Sequence, residues 1–183
     1  MTVLRCSRKL LKRLGQPADL PAPEPCVNPL GEWYADVGFV EREPFVLAMN
    51  AATGLVLVLP GRAELLRRLH LAASEQLAAL LNASSIFGPL ADAEVAAWQQ
   101  PASYARTGNR SMVAAVNRRR MEAWAQFAYD QDCAFAIALR MLETPFTRKD
   151  LGKGCYFASH LARAQLLPSA TILPFPGSGA RRQ

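Results

Sequence analysis

The stretch that decides the fold runs from residue 33 to residue 60 and reads WYADVGFVEREPFVLAMNAATGLVLVLP. Its first part alternates, with Trp33 and every second residue up to Phe39 on one face, as in a half-buried strand. Two apolar runs follow at 44–49 and 55–59, and the turn residues 50–54 separate them. The sequence therefore predicts a three-stranded antiparallel meander over 32–59 whose two later strands are buried.

The residues before the meander predict a strand, a helix and a loop. Residues 2–6 suit a short strand, and Ser7 can cap a helix over 8–14 that Gly15 ends. Residues 16–30 contain five prolines, which predicts a loop with little regular structure.

After Pro60 the hydrophobic period changes from two to 3.6 residues, which predicts a series of helices. We expect helices over 63–82, over 91–100 with Asp92 as the cap, and from the 106–120 segment to about residue 129. A helix over 131–142 should turn Phe135, Leu139 and Leu142 inward, and a last helix over 150–167 should be interrupted near Gly152 and Gly154. The sequence thus predicts an α+β fold with a small antiparallel sheet of three to four strands packed against several helices.

Composition and chain length favour one domain over 1–167, followed by a disordered basic tail over 168–183. The chain is 51% hydrophobic and has four cysteines, none of them in a Cys-x-x-Cys pair, and two histidines. This pattern gives no zinc site and no disulfide framework, so we expect reduced thiols, no metal and no cofactor. No apolar run approaches the roughly 18 residues of a membrane span, and the basic start lacks the apolar core of a signal peptide. We therefore expect a cytoplasmic protein without a membrane partner.

Positive charge is concentrated in two places. The net charge is +6, and residues 5–13 and 106–120 each carry five cationic side chains and no acidic one. Such clusters make nucleic acid or another polyanion a candidate partner. Stacking aromatics are not interleaved with either basic run, which argues against nucleic acid.

The second basic run, 106–120, reads RTGNRSMVAAVNRRR and carries unusual polar residues. On a helical wheel that starts at Val113, the apolar arc also contains Arg110, Asn117 and Arg120. In one interpretation Asn117 bonds the preceding loop, Arg110 pairs with a carboxylate and Arg120 reaches the surface. In the other, Arg110 and Asn117 line a polar pocket for an anion or a base, next to a helix start that Thr107 or Asn109 caps.

The sequence assigns no catalytic residue. His70 lies at the edge of an apolar helical stripe and is best explained by packing. Cys155 and His160 are five residues apart, a spacing that directs them away from each other on a helix, and neither has an evident third partner. A small hydrolase or transferase would have to use Asp36 alone as its base.

Several short motifs occur together in order: Arg5-Cys6-Ser7-Arg8-Lys9-Leu10, Trp33-Tyr34-Ala35-Asp36, Asn50, and Thr107-x-Asn109-Arg110-Ser111 with Asn117. In these the chain resembles an uncharacterised bacterial domain family, classed as a domain of unknown function, that occurs alone or N-terminal to plasmid-type ORF-3-like domains. Asp36 stands where the family pattern has Asn. The resemblance covers residues 1–120, which implies a family-like core to about residue 129 and a C-terminal helical extension over 130–167. It implies that the three motif regions meet, carries no established activity, and suggests a link to mobile elements.

Three hypotheses for the function follow. The first is a non-enzymatic binding module in which a polar cluster that includes Arg5, Asp36, Arg110 and Asn117 receives a peptide, nucleotide or polyanion. The second is a small hydrolase or transferase that uses Asp36, Arg110 and Asn117. The third is a structural subunit bound to a protein partner, in which the polar groups satisfy one another, for example Asp36 with Arg110. The candidate ligand residues are Arg5, Trp33, Asp36, Asn50, Thr107, Asn109, Arg110, Ser111 and Asn117.

Overall fold

The computed structural model describes residues 1–17, 19–147 and 154–167. It contains a five-stranded mixed sheet with the strand order β4-β3-β2-β1-β5. The strands are β1 (Val3–Cys6), β2 (Trp33–Val40), β3 (Glu43–Asn50), β4 (Val56–Pro60) and β5 (Ser103–Arg106).

The predicted meander is present as β2, β3 and β4, which pair antiparallel with Trp33 opposite Asn50 and Phe45 opposite Pro60. The prediction of a purely antiparallel sheet of three to four strands was wrong. Strand β1 pairs in parallel with both β2 and β5, and β5 was not predicted. The parallel pairing arises because α1 and the proline-rich loop carry the chain from the end of β1 back to the start of β2, so both strands run in the same direction.

Seven α-helices surround the sheet within the described ranges. They are α1 (Arg8–Arg13), α2 (Ala63–Leu66), α3 (Leu69–Ala83), α4 (Pro89–Gln99), α5 (Arg110–Ala125), α6 (Ala134–Leu142) and α7 (Ala158–Leu166). A π-helical segment, Gln126–Asp130, continues α5. The helix predicted over 63–82 is thus divided at Arg67 and Arg68, and Gly88 instead of Asp92 caps α4.

Both faces of the sheet are covered. On one face the Trp33 ring contacts the Trp98 ring of α4 edge to face, with 5.4 Å between the ring centres. On the other face Phe45 contacts Phe127 of the π-helical segment at 5.1 Å, and α5 packs across β2 and β3. The buried apolar side chains form one cluster that includes residues of the sheet and of each of these seven α-helices, α2 contributing Leu66.

Helix α5 is rotated by about a quarter turn from the predicted phase. Its buried stripe is Met112, Val116, Arg119 and Ala123, whereas Arg110, Asn117 and Met121 are exposed. The prediction failed because one member of the stripe is an arginine. Buried Arg119 pairs with Glu122 at 2.6 Å, donates to the Thr144 carbonyl at 3.1 Å and lies 5.2 Å from the centre of the Phe146 ring.

The C-terminal helices also differ in detail from the sequence prediction. Leu142 of α6 is buried as predicted, but Phe135 and Leu139 are each 36% exposed, and Ile137, Ala138 and Met141 occupy the inner face instead. The last helix begins only at Ala158. The predicted helical residues 150–153 and the predicted tail 168–183 lie outside the described residues. No helix in the described ranges is both long enough and apolar enough to cross a bilayer.

Candidate functional site

A cavity of about 460 Å³ lies between the start of α1, strand β2 and helix α5. We call it the α1–α5 cavity. It opens next to the carboxyl ends of the parallel strands β1 and β5, where ligands of sheets with parallel strands commonly bind. Its walls consist of Ser7, Arg8, Lys9, Tyr34, Ala35, Asp36, Thr107, Val113, Val116, Asn117 and Arg120.

A connected chain of polar side chains crosses the floor of the cavity. The Ser7 hydroxyl donates to Oδ1 of Asp36, which also accepts from the Val37 amide at 2.8 Å. Nε of Arg120 lies 3.2 Å from Oδ2 of Asp36, and Nη2 of Arg120 donates to Oδ1 of Asn117 at 3.4 Å. Asp36 is therefore held from both sides, while the Nδ2 group of Asn117 has no partner within the described parts of the chain.

The cavity has an excess of positive charge. Arg8 and Lys9 are exposed at its rim, and neither side chain has a hydrogen bond or ion pair to another described residue. Arg120 adds a third cation, and Asp36 is the one carboxylate among the lining residues. A small anion would therefore meet two unpaired cations and the free amide of Asn117.

The structure brings three predicted ligand residues together in this cavity, namely Asp36, Thr107 and Asn117. Asp36 pairs with Arg120 and not with Arg110, which is exposed in the first turn of α5 and does not line the cavity. Ser111 is exposed on the same turn.

Asn109 and Arg5 contribute to the structure outside the cavity. The Asn109 side chain caps α5 by accepting from the amides of Ser111 and Met112. Arg5 forms a two-pronged ion pair with Glu32 and donates to the Arg106 carbonyl at 3.3 Å. Its guanidinium therefore joins β1, β5 and the residue before β2.

Trp33 and Asn50 are fully buried and serve the core. Oδ1 of Asn50 accepts from the Thr53 amide at 2.9 Å, and its Nδ2 donates to the Leu30 carbonyl at 2.9 Å. The Trp33 indole donates to Glu94 of α4 at 3.1 Å. These side chains hold the hairpin turn and the loop before β2 in place.

Sequence analysis missed Glu94, a fully buried carboxylate. It accepts hydrogen bonds from the Leu30 amide, the Asn28 side chain and Trp33. Burial raises its pKa, and these three donors act in the opposite direction. Glu94 lies in an alanine-rich helical segment, and no local pattern distinguishes it from a surface residue.

Ser7, Arg8 and Lys9 belong to the first motif but were not among the candidate ligand residues. They directly follow the predicted strand over residues 2–6. This position was the signal that could have placed them at the carboxyl end of β1, next to the cavity. One interpretation of the sequence took Arg120 to the surface, whereas in the structure its Nε pairs with Asp36.

The Ser7 hydroxyl is engaged within the fold as both donor and acceptor. The Ser7 oxygen accepts from the Leu10 amide as the α1 cap while its proton is donated to Asp36. Neither histidine lines the cavity, since His70 lies beside α2 and His160 packs on Phe157. Within the described ranges no group of three His, Cys, Asp or Glu side chains could hold a metal ion.

Comparison with known proteins gives one family. Residues 3–157 match the family model described as domain of unknown function DUF6933. The match extends past the motif region, through α6 and up to the residue before α7. Comparisons with curated proteins and with solved structures gave no significant match.

Proposed function

This chain belongs to the DUF6933 family of domains of unknown function, and we propose that it is a non-enzymatic binding module whose α1–α5 cavity receives a small anionic ligand. The observation that supports this proposal most directly is the open polar chain of Ser7, Asp36, Arg120 and Asn117, with Arg8 and Lys9 unpaired at its rim.

The volume and charge of the cavity indicate the size and sign of the ligand. About 460 Å³ lies within the range of roughly 300–1,000 Å³ that is typical of small-molecule sites. Three cations face one carboxylate, so an anionic group is favoured, and phosphate or carboxylate groups accept several N–H bonds at once.

Replacing Asn117 distinguishes a ligand-binding role of the cavity from a purely structural one. Asn117 is exposed, and among the described residues its side chain has one hydrogen bond, the long one from Arg120. Replacing it should therefore change the stability of the fold by no more than about 0.5 kcal/mol, as for most surface positions. A hydrogen bond to a charged ligand contributes about 1.5–3 kcal/mol, so its loss should weaken binding roughly 10- to 100-fold.

The experiment begins with mass spectrometry of the purified protein, first under native and then under denaturing conditions, to identify any anion that is carried along. Calorimetric titration with inorganic phosphate and with a mononucleotide follows. We expect Asn117→Ala and Lys9→Ala to lose affinity while their melting temperatures stay close to that of the parent protein.

Arg118→Ala is the matched control, because Arg118 is an exposed arginine of α5 that does not line the cavity. Equal loss of affinity in the control would show that only net charge matters. A stable Asn117→Ala variant that binds like the parent protein would exclude this cavity as the site.

A further inference from the structure

A second and larger cavity, of about 940 Å³, lies at the other end of α1. We call it the α1–α2 groove. Its walls come from the end of α1, from α2 and the start of α3, and from β5. The lining residues used below are Arg13, Leu14, Leu65, Arg67, Arg68 and Tyr104.

The edges of the groove are cationic. Arg67 and Arg68 are exposed and have no side-chain hydrogen bond or ion pair to any other described residue. Arg13 donates to the Gly61 carbonyl at 3.0 Å and lies 5.5 Å from the centre of the Phe39 ring, so its charge has no acidic partner there. Glu64 is the one acidic residue of the lining.

Helix α1 joins this groove to the α1–α5 cavity. Arg8 and Lys9 at its start line the cavity, Arg13 at its end lines the groove, and exposed Lys12 stands one turn after Arg8. These basic residues define a band along α1 to the α2–α3 junction, which consists of Arg8, Lys9, Lys12, Arg13, Arg67 and Arg68.

The interior of the groove is apolar and contains an aromatic ring. Tyr104 of β5 is half-buried in its lining, beside half-buried Leu14 and Leu65, which is 44% exposed. Proteins that bind single-stranded nucleic acid combine a cationic track for the phosphates with aromatic rings on which bases stack. The fold supplies this combination by placing β5 next to α2, although Tyr104 and Arg68 are far apart in sequence.

We propose that the basic band and the α1–α2 groove form a binding surface for single-stranded nucleic acid. The concave shape favours a flexible strand over a flat bilayer, and the half-buried ring favours unpaired bases, which expose a face for stacking, over a stacked duplex. This surface shares Arg8 and Lys9 with the rim of the α1–α5 cavity, whereas Arg68 and Tyr104 lie outside that cavity.

The test is fluorescence anisotropy of the full chain with a labelled oligothymidylate of roughly 16 nucleotides, the upper end of common single-strand site sizes. If four to six cations of the band contact phosphates, the slope of log Kobs against log salt should be about −3 to −4, at about 0.7 per phosphate. Arg68→Glu should weaken binding at least about 10-fold at low salt and reduce the magnitude of the slope by about 0.7 or more.

The control is Arg118→Glu, which makes the same charge change on α5 outside both cavities, and it should bind within about twofold of the parent protein. Tyr104→Leu should weaken binding about fivefold or more, and Tyr104→Phe should retain it. Circular dichroism melts confirm that each variant is folded.

Three outcomes would overturn the proposal. They are no saturable binding, equal losses in Arg68→Glu and Arg118→Glu, and tighter Arg68-dependent binding to phosphatidylserine vesicles than to the oligonucleotide. Loss of phosphate binding in Asn117→Ala without loss of oligonucleotide binding would support this proposal and show that the nucleic acid does not depend on Asn117.

Discussion

Arg120 of α5 lies 3.2 Å from Asp36 of β2 and thereby joins the helix to the sheet across the floor of the α1–α5 cavity. Asp36 occupies the position at which the family resemblance implies Asn. The pair is partly buried, with 27% and 15% of the two side chains exposed, so it lowers the positive potential of the cavity without removing it.

Asp36→Asn should therefore tighten the binding of inorganic phosphate by about fivefold or more, because it removes the one carboxylate that a bound anion faces. The amide keeps an oxygen for Ser7 and Val37, so we expect a stability loss of only about 1 kcal/mol. Calorimetry measures the affinity. Glu75→Gln, an exposed position on α3, is the control with the same charge change, and an equal effect of both changes would contradict the prediction.

The antiparallel meander could be predicted from the sequence because its information is local. Residues 33–60 carry the alternation, the turn and the two apolar runs within one stretch, and the three strands pair antiparallel in the structure. Strand β5 has only four residues and no period of its own, so it is recognisable only through its pairing with β1.

The cavity brings together residues that are far apart in sequence. Asp36 and Asn117 line one cavity, as the family resemblance implied, but Asp36 pairs with Arg120 and not with Arg110, the partner considered from the sequence. The phase of α5 depends on Arg119, and a buried arginine cannot be recognised from polarity alone. Its partners Thr144 and Phe146 lie beyond the helix in sequence.

Glu94 should make the stability of the fold depend on pH. Burial raises its pKa in the folded protein above the ordinary value, so the folded state binds this proton more tightly than the unfolded state does. The contribution to the free energy of unfolding is complete below the ordinary glutamate pKa and is lost as the pH rises through the raised value.

Glu94→Gln removes this titration. The free energy of unfolding of the parent protein minus that of the variant should therefore decrease as the pH rises from below the ordinary carboxyl range to neutrality. Urea denaturation at a series of pH values measures this difference. A difference that stays flat or increases over that interval would show that the donors Leu30, Asn28 and Trp33 outweigh burial.

Arg119→Leu should destabilise the protein by about 2–3 kcal/mol. The substitution leaves the Thr144 carbonyl without this donor and removes the cation from the Phe146 ring, while Glu122, 36% exposed, can turn to water. Chemical denaturation measures the loss. Arg118→Leu, at the exposed position before it in sequence, should change stability by no more than about 0.5 kcal/mol. Equal losses in the two variants would show that the lost positive charge, and not the buried contacts of Arg119, causes the destabilisation.

Gln76 of α3 covers the outer edge of the sheet at Val58. Its Oε1 accepts from the Val58 amide at 2.7 Å and its Nε2 donates to the Val58 carbonyl at 2.8 Å, so a side-chain amide replaces a neighbouring strand. An uncovered edge strand offers these groups to other chains.

Gln76→Ala should cost about 2–3 kcal/mol, because both backbone groups of buried Val58 lose their partner. Gln76→Glu can still accept from the Val58 amide but can donate to the Val58 carbonyl only when protonated. At neutral pH it should therefore lose the bond to the carbonyl, and it replaces an uncharged side chain with a charged one. Hydrogen exchange of the Val58 amide should accelerate strongly in Gln76→Ala and less in Gln76→Glu. Gln99→Ala, at an exposed position of α4, should leave both stability and exchange at Val58 unchanged, and unchanged exchange in Gln76→Ala would show that the edge is protected by packing alone.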